Sequence, residues 1–143
     1  LGSGEPQVEG RLSHLKEAFP GNYNVYIGYN EQLSHQIYAG ADFLLMPSRV
    51  EPCGLNQMYA LRYGTIPIVR RIGGLRDTVT DIGDDGFGIC HDQTSVWDVG
   101  HAISRAVELY ENTKRIKEIR KFIMQLDHSW DRAAQQYIDL YQI

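Results

Sequence analysis

The sequence predicts an α/β fold, a Rossmann-like parallel sheet with helices on both faces. Three observations carry this reading. Segments with apolar residues at helical spacing alternate with short apolar runs. Two of these runs, "DFLLMP" and "TIPIVR", are almost wholly apolar, as strands buried on both faces of a parallel sheet are. Loops bearing glycine and charge follow the runs, at the strand ends where open α/β sheets bind their ligands.

The elements follow in order. "LGSGEP" reads as the last residue of a strand, a glycine turn and a helix start. With the strand body and an initiator Met both missing, the chain reads as a fragment of something longer. Val8, Leu12, Leu15 and Phe19 then recur at helical spacing, with Pro6 near the first turn, where proline is tolerated. "VYIG" is expected to be a short strand ending at Gly28. "NEQLSHQIYAG" is a short helix with Leu33 and Ile37 on one face and Gly40 as its stop. "DFLLMP" is a strand, "NQMYALRYG" a helix closed by Gly64, and "TIPIVR" the next strand. "RIGGLRDTV" is a glycine loop leading into a short helix, and a last strand lies around Phe87 to Cys90. Three helices complete the chain. Their expected faces are Val99, Ile103, Ala106, Val107 and Tyr110; Ile116, Ile119, Phe122 and Ile123; and Trp130, Ala133, Ala134, Tyr137, Ile138 and Tyr141. Ser129 is suited to cap the last of them.

Composition narrows the function. The 143 residues are 43% hydrophobic and 22% charged, enough for one domain with a core. A net charge of -4 argues against a nucleic-acid partner. No apolar run is long enough for a membrane span. Cys53 and Cys90 are too few for a disulfide scaffold, and a reduced setting is the default. The five histidines show no metal spacing, so no metal or other cofactor is expected.

The stretch "SRVEPCGLNQ" is the strongest candidate site. Pro52 stiffens the turn, and Gly54 lets backbone approach a ligand closely. The amides of Gly54, Leu55 and Asn56 would open a helix, a ready anion site, and Glu51 would accept bonds from hydroxyls beside it. A phosphate end and a hydroxyl end together describe a nucleotide sugar. The plainer alternative is that Glu51 caps the helix and Cys53 fills space. In "RRIGGL", Gly73 and Gly74 would offer amides to a diphosphate and Arg70 or Arg71 would add charge, unless this is only a tight turn with two solvated arginines. Tyr29, just after Gly28, would stack on a base or simply pack on the surface.

The block "PSRVEPCGLNQMYALRYGTIPIVRRIGGLRDTV", extended upstream by "IGYNEQLSHQIYAGADFLLM" and closed by "HSWDRAAQQYIDLY", resembles bacterial glycogen synthases and plant starch synthases over nearly the whole chain. The resemblance implies a retaining transferase of GT-B architecture. Such enzymes move glucose from ADP-glucose to the non-reducing end of an α-1,4-glucan without a metal. It implies that residues 1–143 are part of the C-terminal nucleotide-sugar-binding domain, with C-terminal helices over 95–143 and the N-terminal domain absent. Glu51 matches the family's essential acid. Cys53, Gly54 and Leu55 match the loop facing the donor glucose and distal phosphate, with Asn56 beside the phosphate or ribose. Tyr29 matches the aromatic that packs on adenine. Tyr59 stands where many related transferases carry a second glutamate, which agrees with glycogen and starch synthases. The family's Arg/Lys diphosphate clamp is not in this chain. The chain alone is therefore expected to be inactive, and to self-associate through its bared sheet edge. The implied location is cytoplasmic for a bacterial protein and plastid for a plant starch synthase. Another nucleotide-sugar donor, or a non-catalytic nucleotide- or glucan-binding module, are the alternatives.

Overall fold

The computed structural model describes residues 1–142. The chain forms two compact units, Leu1–Ile37 and Tyr38–Ile143.

In the first unit, α1 (Pro6–Ala18) starts with its proline in the first turn, as expected. Its apolar stripe of Val8, Leu12, Leu15 and Phe19 stays exposed. The expected "VYIG" strand is corrected to a single parallel bridge between Gly2 and Ile27. Gly2 N–H donates to Tyr26 O (3.1 Å) and Gly28 N–H to Gly2 O (2.8 Å). A ladder needs several residues side by side, and only the first residues of the chain run along this segment. Asn30 caps the next helix, α2 (Glu31–Gly40), its side chain accepting from Leu33 N–H (2.9 Å).

The second unit holds a three-stranded parallel sheet in the order β1 (Phe43–Met46), β2 (Ile66–Arg70), β3 (Ile89–His91). Phe43 pairs with Ile66 and Ile68 with Ile89. The central β2 is buried along almost its whole length, as its apolar run predicts. β1 is not buried on both faces: it is an edge strand, and Leu45 is 40% exposed. Pro67 fits in the central strand because of its position. Ile66 N–H bonds toward β1, at Asp42 O, so the next residue faces β3. The β3 ladder starts only at Ile68↔Ile89, so the donor that proline lacks falls before the ladder begins.

Alternate residues of β2 feed two cores. Ile66 and Ile68 join Leu61, Ile89, Ala102, Ala106, Ile116, Ile119 and Ile123. Val69 joins Met46, Leu75, Val79 and Cys90 in the second. The helices behind these residues are α3 (Asn56–Tyr63), α4 (Gly73–Thr78), α5 (Val96–Glu111) and α6 (Thr113–Ile123). α3 ends at Gly64, in the left-handed region as expected. The face of α5 differs in part from the expected one, of which Ala106 is buried as expected. Ala102, Ala106 and Leu109 are buried, while Ile103, Val107 and Tyr110 are exposed. Alanines let the helix approach the sheet closely, and the bulkier side chains ride on its flank. In α6, Ile116, Ile119 and Ile123 are buried as expected, but Phe122 is half exposed and tilts against Phe87 at 5.8 Å. Ser129 caps α7 (Trp130–Tyr141), accepting from Arg132 N–H. None of the expected α7 face is buried.

One buried carboxylate ties β3 to α5. Asp81 accepts from Gly83 N–H (2.7 Å), Cys90 N–H (2.7 Å) and the Arg105 guanidinium (2.5 and 3.1 Å). Burial alone would push this carboxyl up. The Arg105 hydrogen bond, the two amides and the Arg105 charge outweigh it and hold the group below the ordinary carboxylate value. A depressed folded pKa means stability that is full above the unfolded value and is lost as pH falls through the folded one. Thermal unfolding followed by circular dichroism should therefore show Asp81 contributing down to about pH 4 and progressively less below it. Asp81→Ala should cost about 3 kcal/mol near pH 7, because it strands Arg105 and two amides.

Candidate functional site

Pro47 to Leu55 link β1 to α3 at the carboxyl end of the sheet. Arg70, at the end of β2, braces the start of this loop. Its guanidinium donates to Arg49 O (2.9 Å) and Ser48 O (3.4 Å), and also to Asp92 O (2.9 Å) after β3. Arg71 lies within 4.0 Å of carboxylate oxygens of Asp81, Asp84 and Asp92. Arg70 is half-buried and Arg71 exposed, as the plainer expectation has it for the second, and both already have acceptors in the protein.

Glu51 is half-buried, and its carboxylate accepts from the Ser48 hydroxyl at 3.3 Å. It does not cap α3. The N-cap position is Leu55, and no side chain caps the helix. The N–H groups of Gly54, Leu55 and Asn56 have no acceptor among the described residues. Gly54 has φ +77° and Leu55 follows in the right-handed region, a sequence that turns successive amides to one side. The loop thus presents a carboxylate and three unengaged amides, which suit hydroxyl and anionic groups respectively.

The glycines of "RRIGGL" differ from the expectation in their place, and Gly74 also in its amide. They are the first two residues of α4 rather than a loop ahead of it. Gly74 N–H donates to Glu51 O (3.2 Å) and Pro52 O (3.1 Å), so that amide is engaged by the neighbouring loop. A Cβ on Gly74 would overlap the Cys53 carbonyl oxygen and come within 2.6 Å of Cys53 Cα; one on Gly73 would overlap the Glu51 carbonyl oxygen. The two glycines therefore bring the loops into backbone contact. Gly73 N–H has no protein acceptor among the described residues.

Sequence reasoning missed Gln57. It is fully buried, and its amide nitrogen reaches Cys53 O, Gly54 O and Thr78 Oγ1. The signal was present, since Gln57, Ala60 and Leu61 share one helical face and the last two are core residues. Beside the loop runs an open groove of ≈ 630 Å³, lined among others by Cys53, Leu55, Tyr59, Arg62, Asp127 and Trp130. Tyr29 belongs to the first unit. It is 85% exposed, and its hydroxyl lies 3.4 Å from the Glu31 carboxylate.

Residues 3–121 match the model of the family described as glycosyl transferases group 1. The chain belongs to this family. As a group 1 glycosyl transferase chain it is 61% identical, over all of its length, to glycogen synthase from Flavobacterium johnsoniae, of which it covers 30%. It is 46% identical over 99% of its length to glycogen synthase from Rhodospirillum rubrum, again covering 30% of the relative. Among solved structures, it resembles the catalytic domain of starch synthase IV from Arabidopsis thaliana bound to ADP and acarbose. The TM-score is 0.89 at 35% identity, over 99% of this chain and 30% of that one. Sucrose-phosphate synthase from Thermosynechococcus elongatus shares the fold, with a TM-score of 0.70 at 21% identity, over 98% of this chain and 37% of that one. The chain thus spans about a third of the length of the relatives it matches.

The two cysteines of this group 1 transferase chain differ in kind. Both are free; Cys53 is exposed on the site loop and Cys90 is buried. Burial pushes the Cys90 thiol up to about 11, with Asp81 adding to the effect. Iodoacetamide at pH 7.5 should therefore label Cys53 and spare Cys90 in the folded protein, with both labelled after denaturation. Peptide mass spectrometry reads the result. Among the described residues, no helix is long and apolar enough to cross a membrane, and no group of three or more His, Cys, Asp or Glu is placed to hold a metal ion.

Proposed function

We propose that a full-length protein carrying this chain transfers glucose from ADP-glucose to the non-reducing end of an α-1,4-glucan, with retention and without a metal. The observation that carries the proposal is the Glu51–Asn56 loop, where a half-buried carboxylate stands beside three amides without protein acceptors. The glycogen synthase names of the relatives and the ADP-bound starch synthase support it.

In this reading Glu51 accepts bonds from the donor glucose and fixes its position. The amides of Gly54, Leu55 and Asn56 face the distal phosphate, where negative charge grows as the glycosidic bond breaks. The exposed Cys53 contributes its backbone to the glucose pocket rather than a nucleophile. Gly73 adds a further amide, and Gly74 sets the approach of the two loops. Tyr29 packs on the adenine. The chain spans about 30% of the relatives' length and is proposed to be inactive alone. Calorimetry on the full-length protein tests the donor: ADP should bind at least about tenfold more tightly than UDP or GDP. Equal affinity for the three would refute the choice of adenine nucleotide.

A further inference from the structure

We infer that Gln57 is a positioning residue that aims the phosphate-facing amides, an inference that rests on the site reading above. Gln57 is the second residue of α3 and has no exposed surface. Its Nε2 donates to Gly54 O (2.9 Å), Cys53 O (3.2 Å) and Thr78 Oγ1 (3.1 Å). The Thr78 hydroxyl in turn donates to Gly74 O (2.6 Å). All three neighbours of Nε2 are acceptors toward it, which settles the orientation of the amide. Its Oε1 is buried with no hydrogen-bond partner among the described residues, and a Cβ on Gly54 would lie only 2.6 Å from it.

An apolar side chain of the same volume would fill this place without an orphaned oxygen. What it could not do is hold two successive carbonyls. In a planar trans peptide the C=O and the following N–H point in opposite directions. Cys53 O shares its peptide unit with Gly54 N–H, and Gly54 O shares its unit with Leu55 N–H. Drawing both carbonyls inward onto one buried amide therefore turns both N–H groups outward. The positive φ of Gly54 lets the two units face the same way. Through Thr78 the same glutamine is joined to Gly74, whose own amide holds the Glu51 carbonyl. One side chain thus braces both loops of the site from below.

The test uses the full-length protein, with glucose transfer measured from ADP-glucose. Gln57→Met keeps the volume and removes both donor hydrogens. At a temperature where the variant is fully folded, kcat should fall at least tenfold, while KM for the donor changes less than threefold. If Gln57→Met does not fold, Gln57→Glu keeps the shape, sets a carboxylate against two carbonyls, and should show the same loss. Leu61→Ala, a core change in the same helix, should lower the melting temperature and leave kcat within twofold of wild type. Wild-type kcat in the folded Gln57 variant, with Glu51→Ala inactive, would make Gln57 a core residue only and overturn the inference. Full activity in Glu51→Ala would instead remove the site reading, and the inference with it.

Discussion

Glu51→Ala in the full-length protein is expected to lower kcat for glucose transfer by at least about 10³-fold, on the scale of losing a preorganised group at the reacting centre. The fold should survive the change. The Glu51 side chain meets the Ser48 hydroxyl and makes no other hydrogen bond or ion pair among the described residues. It is the backbone carbonyl of Glu51, which alanine keeps, that accepts from Gly74 N–H. Thermal unfolding should therefore shift by no more than about 1 kcal/mol. Activity and stability separate cleanly at this position. Loss of both together would mean that Glu51 is a structural acid.

Gly74→Ala is expected to act in the opposite way, through structure first. The added methyl would overlap backbone of Cys53, which cannot rotate away as a side chain tip can. Overpacking of this kind costs about 1–3 kcal/mol, and here part of it is relieved by pushing the Glu51–Cys53 loop outward. Activity should fall with stability, because Glu51 and the Gly54 amide move with that loop. Gly100→Ala supplies the contrast. Gly100 lies within α5, and a Cβ there meets nothing within 4 Å. It should stabilise the protein by about 0.5–1 kcal/mol through helix propensity and a stiffer unfolded chain. Chemical denaturation of the two variants reads opposite signs from the same substitution.

Local signals made much of this molecule legible in its sequence. The apolar run that became β2, the glycine ending α3, the proline opening α1 and the serine capping α7 each act within a few residues. So did the block from Glu51 to Leu55, whose residue types match a known family. What the sequence did not reveal depends on distant partners. The buried face of α5 kept Ala106 but turned to Ala102 and Leu109, because the side that lies against the sheet, not side-chain size, decided it. The "VYIG" strand shrank to one bridge because a strand is made by its neighbour. Arg70 and Gly74 looked like ligand groups because their acceptors are backbone carbonyls that lie 21 or more positions away along the chain. Gln57 escaped notice because a polar residue on a core face looks like an error until its carbonyl partners are seen.

The central claim is that this loop belongs to an enzyme that uses ADP-glucose. The most direct test is incorporation of labelled glucose into glycogen by the full-length wild-type protein, from ADP-glucose and from UDP-glucose in parallel. The account predicts rapid incorporation from ADP-glucose and at least about tenfold less from UDP-glucose at equal concentration. Incorporation from neither donor, or a preference for UDP-glucose, would contradict it.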